Sequence, residues 1–276
     1  MIIKADFLPT LKALAFAVAL ATASGVHGAG TAKTDPAPIQ NPWSFNLSLY
    51  TWLPGVSGDF GVGRYGKSVD ASFIDIAGKL RNFPMAFNGH LEAHYEKLGF
   101  FLDGNYMGMD FKPRFDRVSS GSSMEVGIMD YGVMYRVFGP SASERVGNWS
   151  NKSNSNLLEI YAGGRSIWLG NQIDLIRGIS VSGSKSFTAP IIGGKVMVEF
   201  SPHWFALVDG NVGGFGLDNV SFTGGALGMV GYRTRFFGVP SSVEAGYKVL
   251  QVSVKNSVVA ADVTLNGPFV GLTGYW

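Results

Sequence analysis

No cysteine occurs among the 276 residues, which excludes a disulfide framework and a thiolate metal site. Charge is scarce as well. Asp, Glu, Lys and Arg make up 15% of the chain, against roughly 25% in soluble globular proteins. The formal net charge is +2, and no block of one sign is long enough to serve nucleic acid or form an acidic tail. Past the N-terminal region, no apolar run approaches the ~18 residues of a transmembrane helix. The chain is instead rich in glycine, with 38 residues, and in aromatics, at 13%. Such a chain must either hide most of its surface or face lipid.

The first 28 residues read as a secretory signal peptide. Lys4 and Lys12 precede the apolar run Ala13 to Ala21, and small residues follow. That run falls short of the ~20 residues a membrane-spanning helix needs. Cleavage after Ala23, Gly28 or Ala29 would each fit the small-residue rule. Residues 29–42, with TAKTDPAPIQNP, read as an extended lead-in. Residues 43–276 form the folded body.

Within that body the dominant pattern is alternation. Asn88, His90, Glu92, His94 and Glu96 share one parity, and Phe87, Leu91, Ala93 and Tyr95 share the other. A period of two puts the two sets on opposite faces of a strand, whereas a helical period would scatter them. The pattern recurs. Glu159 and Arg165 oppose Leu158, Ile160 and Trp168; Lys195 opposes Ile192, Val196 and Val198. Asp209 and Asn211 oppose Trp204, Ala206 and Val208, and Glu244 and Lys248 oppose Val243, Ala245 and Tyr247.

A soluble sandwich also alternates, so the choice rests on three further features. The strands look long enough to cross a bilayer at a tilt. Charges of both signs fall near strand centres, as a wet or ion-paired lumen would hold them. Tyr and Trp gather toward strand ends, as at a membrane interface. The expected fold is therefore all-β: a transmembrane antiparallel up-and-down β-barrel of about ten strands, in the cell outer membrane. Twelve strands result if Val56 to Val62 and Val69 to Ile74 span as a hairpin of their own, and eight is the smaller alternative.

The expected polar lining of the lumen is His90, Glu92, His94, Asp103, Glu159, Arg165, Lys195, Asp209 and Lys248. The expected interfacial aromatics are Trp43, Trp52, Trp168, Trp204, Tyr275 and Trp276, with Tyr50 in the same group. Turns at 97–99, 201–203 and 236–242 and the loop 139–156 would be periplasmic. Loops at 112–121, 171–184, 217–220 and 255–260 would be extracellular. Asp75 to Leu80 reads as a short helix or a turn facing the lumen. The last strand is expected to slip parity near Gly267-Pro268, where a bulge is cheap.

The order WSFNLSLYTWLPGVSGDFGVG, VDASFIDIAGKL, GHLEAHYEKLGFFLDGNYM, LLEIYAGGRSIWL, ALVDGNVGGFGL and GPFVGLTGYW resembles a family of porin-like Gram-negative outer-membrane β-barrel proteins. The resemblance runs over nearly the whole of 43–276. It implies an outer-membrane barrel with no established substrate or reaction. Ser166 and Gly274 stand where such barrels more often carry an aromatic. The closing GPFVGLTGYW also resembles the C-terminal aromatic signal by which the barrel assembly machinery recognises its substrates.

Candidate chemistry is sparse. His90, Glu92 and His94 could ligate a divalent metal, but residues two apart on a strand are separated by about 6.5–7 Å. The row is better expected to pair with Arg165, Lys195 or Lys248 across the barrel, with no metal and no cofactor. Outer-membrane lipid hydrolases place His and Ser two apart on one strand, and no His-x-Ser follows the signal. Enzyme activity is therefore not expected. Gly213 to Gly216 and Gly61 to Gly63 lack the strand–helix context of a phosphate loop. The expected role is a structural or surface barrel, contacting outer-membrane lipids, with a narrow charge-filled lumen. A narrow porin-like channel or small-solute transporter is the alternative, and a lipid-modifying enzyme the least supported reading.

Overall fold

In the computed structural model, residues 41–62, 65–72, 87–111, 119–147, 156–175, 179–255 and 259–276 are described. The expected signal peptide, most of the lead-in and the Asp75 to Leu80 segment lie outside them. The strands are β1 Trp43–Trp52, β2 Gly55–Val62, β3 Tyr65–Ala71, β4 Phe87–Tyr95, β5 Leu98–Phe111, β6 Ser119–Phe138, β7 Leu157–Leu175, β8 Ile179–Glu199, β9 Trp204–Gly214, β10 Val220–Phe236, β11 Val239–Lys255 and β12 Val259–Tyr275. A short helix, α1 Ala142–Gly147, lies between β6 and β7.

From β4 to β12 each strand pairs antiparallel with the next, and β1 pairs with both β4 and β12. The result is a closed ring of ten strands. At the seam, Phe45 and Trp276 exchange both backbone hydrogen bonds at 2.9 Å. Closure matters because an open edge would leave backbone donors and acceptors without partners in lipid. The hairpin β2–β3 adds no spanning strand. Instead β2 lies on Val259 to Asn266 of β12, and β3 pairs with β2.

β1 and β2 follow one register along β12: Trp52 faces Phe269 and Gly55 faces Asn266. They are one strand broken at Leu53-Pro54. The break has a local cause in two prolines. Leu53 N–H donates to the Pro268 carbonyl at 3.0 Å, and Pro268 has no N–H to return on that edge. Trp52 turns into the barrel there, fully buried, and its Nε1 donates to the Gly267 carbonyl at 3.2 Å. The expected slip in the last strand does not occur. β12 keeps register with β11 through Phe269, Pro268, Gly267 and Asn266; the irregularity lies in the strand opposite.

Two expected loops are also strand. β7 and β8 stay paired out to Leu175 opposite Ile179, within the segment 171–184, and β6 begins at Ser119, inside 112–121. In β6 the extension is polar and small, Ser119 to Ser123; in β7 and β8 alternation continues with its parity exchanged, Gln172 and Asp174 standing on the parity of Trp168. The turn expected at 97–99 is centred on Glu96 and Lys97, with Glu96 at φ 51°.

The outer face is apolar on strand after strand. Leu49, Ile160, Val208 and Val270 are 49%, 52%, 63% and 61% exposed, in a continuous band that only lipid would cover. At the end bearing both β1's start and β12's finish, hereafter the near end, aromatics stack outside the barrel. Trp43 meets Tyr95 edge-on at 5.2 Å and Trp204 meets Tyr232 at 5.0 Å. Trp168 and Trp276 are likewise exposed. Trp52, Tyr275 and Tyr50 correct the expectation, because each shares the inward parity of its strand. Tyr275 Oη lies 2.9 Å from Ser242 Oγ inside the barrel, and Tyr50 Oη reaches Asn105 at 2.9 Å. With an apolar exterior and its charged residues turned inward, the chain is built as an outer-membrane β-barrel.

The junction at Leu53-Pro54 gives a test. A Cβ on Gly267 would collide with the Leu53 carbonyl oxygen, whereas one on Gly228 meets nothing within 4 Å. Gly267→Ala should lower the urea midpoint of the detergent-refolded barrel, the unfolding free energy falling by about 1–3 kcal/mol as overpacking does. Gly228→Ala should leave the midpoint unchanged.

Candidate functional site

The interior is layered. Toward the far end, Trp52, Met107, Val126, Ile128, Ile167, Leu250, Leu265 and Phe269 form one buried apolar cluster. They come from β1, β5, β6, β7, β11 and β12, so the cluster reaches across the lumen. Phe187, Ala189, Val220 and Val254 of β8, β10 and β11 extend it. A barrel of about ten strands is narrow enough for side chains to fill, and here they do.

Below that layer the polar residues form a connected network. Lys248 Nζ sits 2.9 Å from Tyr50 Oη, 3.0 Å from Asp103 Oδ1 and 3.1 Å from Asn105 Oδ1. It also lies 5.2 Å and 5.3 Å from the ring centroids of Tyr50 and Trp52. His90 bridges two carboxylates, with Nδ1 3.2 Å from Asp103 and Nε2 2.9 Å from Glu92. Lys195 then stands between Glu92 at 2.5 Å and Glu159 at 2.9 Å. Arg136 Nε donates to Glu159 at 2.8 Å, and His94 Nε2 lies 3.2 Å from the same carboxylate.

A second group centres on Arg165. Its guanidinium takes Asp130 in a fork at 2.7 and 2.6 Å, the geometry that makes Arg–carboxylate pairs strong. It also donates to Thr223 at 2.8 Å and Asn211 at 3.0 Å, tying β6 and β7 to β9 and β10. Tyr161 Oη donates to Asp209 at 2.6 Å. Nearest the near end, Arg233 pairs with Glu199.

All nine residues expected to line the lumen project inward. His90, Glu92, Asp103, Arg165, Lys195, Asp209 and Lys248 border the central cavity, while His94 and Glu159 are buried below it. The donor atoms of Glu92, His94 and Glu159 fall within 4.8 Å of one another. The Lys195 ammonium stands between the two carboxylates, where a cation would sit.

Sequence reasoning missed Arg136, Asp130, Tyr161 and the apolar layers. The inward set of β6 runs Val126, Ile128, Asp130, Met134 and Arg136 while its outward set is also apolar. With both faces apolar, period-two contrast vanishes. Two further apolar groups, Phe101, Met134 and Ile191, and Leu157, Met197 and Phe205, sit among the charges.

No family model matches the chain, and no curated protein matches it. Among solved structures it is similar to Ail, the attachment invasion locus protein of Yersinia pestis, at 13% identity and a TM-score of 0.37, covering 85% of this chain and 98% of that one. It is also similar to the Pseudomonas putida toluene transporter TodX, at 9% identity and a TM-score of 0.28, covering 84% and 89%. A Pseudomonas aeruginosa FadL homologue matches at 9% identity and a TM-score of 0.29, covering 85% and 90%. At such scores the likeness says nothing of role.

Lys195 is the bridge between two buried carboxylates, so its removal leaves like charges facing each other. Lys195→Met should destabilise the folded barrel by about 3–5 kcal/mol, as loss of one partner from a buried ion pair does. Lys195→Met combined with Glu92→Gln should recover most of that loss, because Glu159 keeps its Arg136 partner. Urea unfolding, followed by heat-modifiable gel migration, reads both.

Proposed function

We propose that this protein is an integral outer-membrane barrel with a structural or surface role and a lumen that does not conduct. One observation carries the reading: buried side chains occupy the lumen in two layers. The apolar cluster around Trp52 and Ile128 fills it toward the far end. The buried ion-paired residues Arg136, Glu159 and His94 fill the opposite part. Each of these three is 1% exposed, and Trp52 is fully buried. Between them remains a cavity of about 180 Å³.

Two proposals follow from the same architecture. The near end faces the periplasm, because the short turns at Glu96–Lys97 and Phe237–Gly238 lie there and the far end carries the longer strand extensions. The C-terminal strand, whose Val270, Leu272 and Trp276 face lipid, is the segment offered to the barrel assembly machinery. A non-enzymatic role is supported by the histidines. His90 and His94 are bonded to carboxylates, and neither bonds a serine hydroxyl among the described residues. The cavity itself favours a second reading, passage or storage of one small solute.

Refolded protein in planar bilayers should give no reproducible open steps. Stable stepwise conductance of the wild-type barrel would overturn the closed-lumen reading and favour the channel.

A further inference from the structure

The lumen cavity has two unlike walls. In the ring of ten strands, β4 and β5 stand five places from β9 and β10 and so face them across the barrel. On the β9–β10 side the cavity is lined by Leu207, Leu227 and Met229. All three stand on inward parities, yet they are only half-buried, whereas Phe205, on the same parity of β9, is 2% exposed. Their uncovered apolar surface forgoes the contacts that a filled interior supplies. On the other side β1 contributes Asn46, Ser48 and Tyr50, and β4 contributes His90. An apolar wall facing a few polar groups is the composition of small-molecule sites.

The fixed charges of the lining leave little for an ionic occupant. Lys248 pairs with Asp103 and Arg165 with Asp130. His90 has one ring nitrogen on Asp103 and the other on Glu92, and Lys195 pairs with Glu92 and Glu159. Asp209 accepts from the Tyr161 hydroxyl at 2.6 Å and stands directly opposite Lys195 on β8. Glu244 accepts from the Ser242 hydroxyl at 2.6 Å and is 6% exposed, so little of it is open to the cavity. An entering ion would exchange its hydration for groups already engaged. A neutral molecule loses less. Ser48, half-buried on the polar wall, shares one hydrogen bond with Thr273 between their hydroxyls at 2.7 Å. Two hydroxyls have donor and acceptor capacity beyond one such bond. The cavity's 180 Å³ exceeds the ~150 Å³ that accommodates one benzene ring in a protein interior.

We propose that the lumen cavity binds one small neutral alcohol with an apolar body of about one ring, its body against Leu207, Leu227 and Met229 and its hydroxyl toward Ser48. Binding covers the apolar wall and gives the hydroxyl a partner without disturbing any ion pair. The proposal rests on the small-solute reading above. Bilayer recording tests passage and titration tests occupancy, so either can fail alone.

The test uses full-length protein refolded in non-ionic detergent, with para-fluorobenzyl alcohol as probe and fluorine NMR as readout. The comparators are para-fluorotoluene, para-fluorobenzylammonium and para-fluorobenzoate. Titration is run on folded protein and on protein refolded with the probe present, so that slow entry cannot hide binding. The alcohol is expected to bind about tenfold or more tightly than either ion. Leu207→Trp, which fills the cavity, should weaken the alcohol about tenfold or more, and Met229→Phe is the second filling variant. Val208→Trp, one residue along β9 and facing outward, should leave binding unchanged. Ser48→Ala should weaken the alcohol about fivefold, as loss of one hydrogen bond does, and leave para-fluorotoluene unchanged. Heat-modifiable migration confirms folding of each variant. Four outcomes would overturn the proposal: an ion binding as tightly as the alcohol, filling variants no different from Val208→Trp, unchanged affinity in Ser48→Ala, or no alcohol binding under either protocol.

Discussion

Backbone hydrogen bonding in a medium without water is the constraint on which the rest of this structure depends. A sheet in lipid cannot leave an edge, so β1 must find both β4 and β12. The seam between Phe45 and Trp276 is where that requirement is met, and the chain arranges its irregularities around it. Pro268 and Pro54, each unable to donate, lie one residue out of register across the same pair of strands. The break between β1 and β2 is thus the local cost of placing two prolines in a closed sheet. Just before it, Trp52 stands on the inward parity of β1 and anchors the far-end layer.

Ring size then dictates the interior. Ten strands enclose too little space for a broad aqueous pore and too much to collapse onto backbone alone. Side chains fill the difference. An alternating sheet with an apolar outer face supplies polar inward residues, and these must be paired because little water reaches them. Lys195 between Glu92 and Glu159, and Arg165 forked on Asp130, are solutions to that requirement. So are the apolar layers, which fill volume without demanding partners. The cavity left between them is small.

Much of this was legible from parity. The Asn88 to His94 row, the Asp103 and Asp209 positions and the first strand from Trp43 to Trp52 were all readable because lipid on one face enforces a strict period of two. Trp52 and Tyr275 were misplaced when aromatic identity and proximity to a strand end were weighed above parity. In β1, Ser44, Asn46, Ser48, Tyr50 and Trp52 form one inward set, which already contradicted an interfacial tryptophan. Arg136 was illegible for a different reason, since both faces of β6 are apolar beside it. The far reaches of β7 and β8 were harder to read because their polar and apolar parities are exchanged relative to the lipid-facing run, Gln172 and Asp174 sharing the parity of Trp168.

By itself the sequence determined the class of fold, the inward and outward faces of most strands and the residues available to the lumen, because period-two patterning is a local property of the strand. Only the tertiary structure decided which charges meet. Glu92 and Lys195 are separated by 103 residues and Tyr50 and Lys248 by 198, and nothing local sets such a pairing. Curvature and register bring them together.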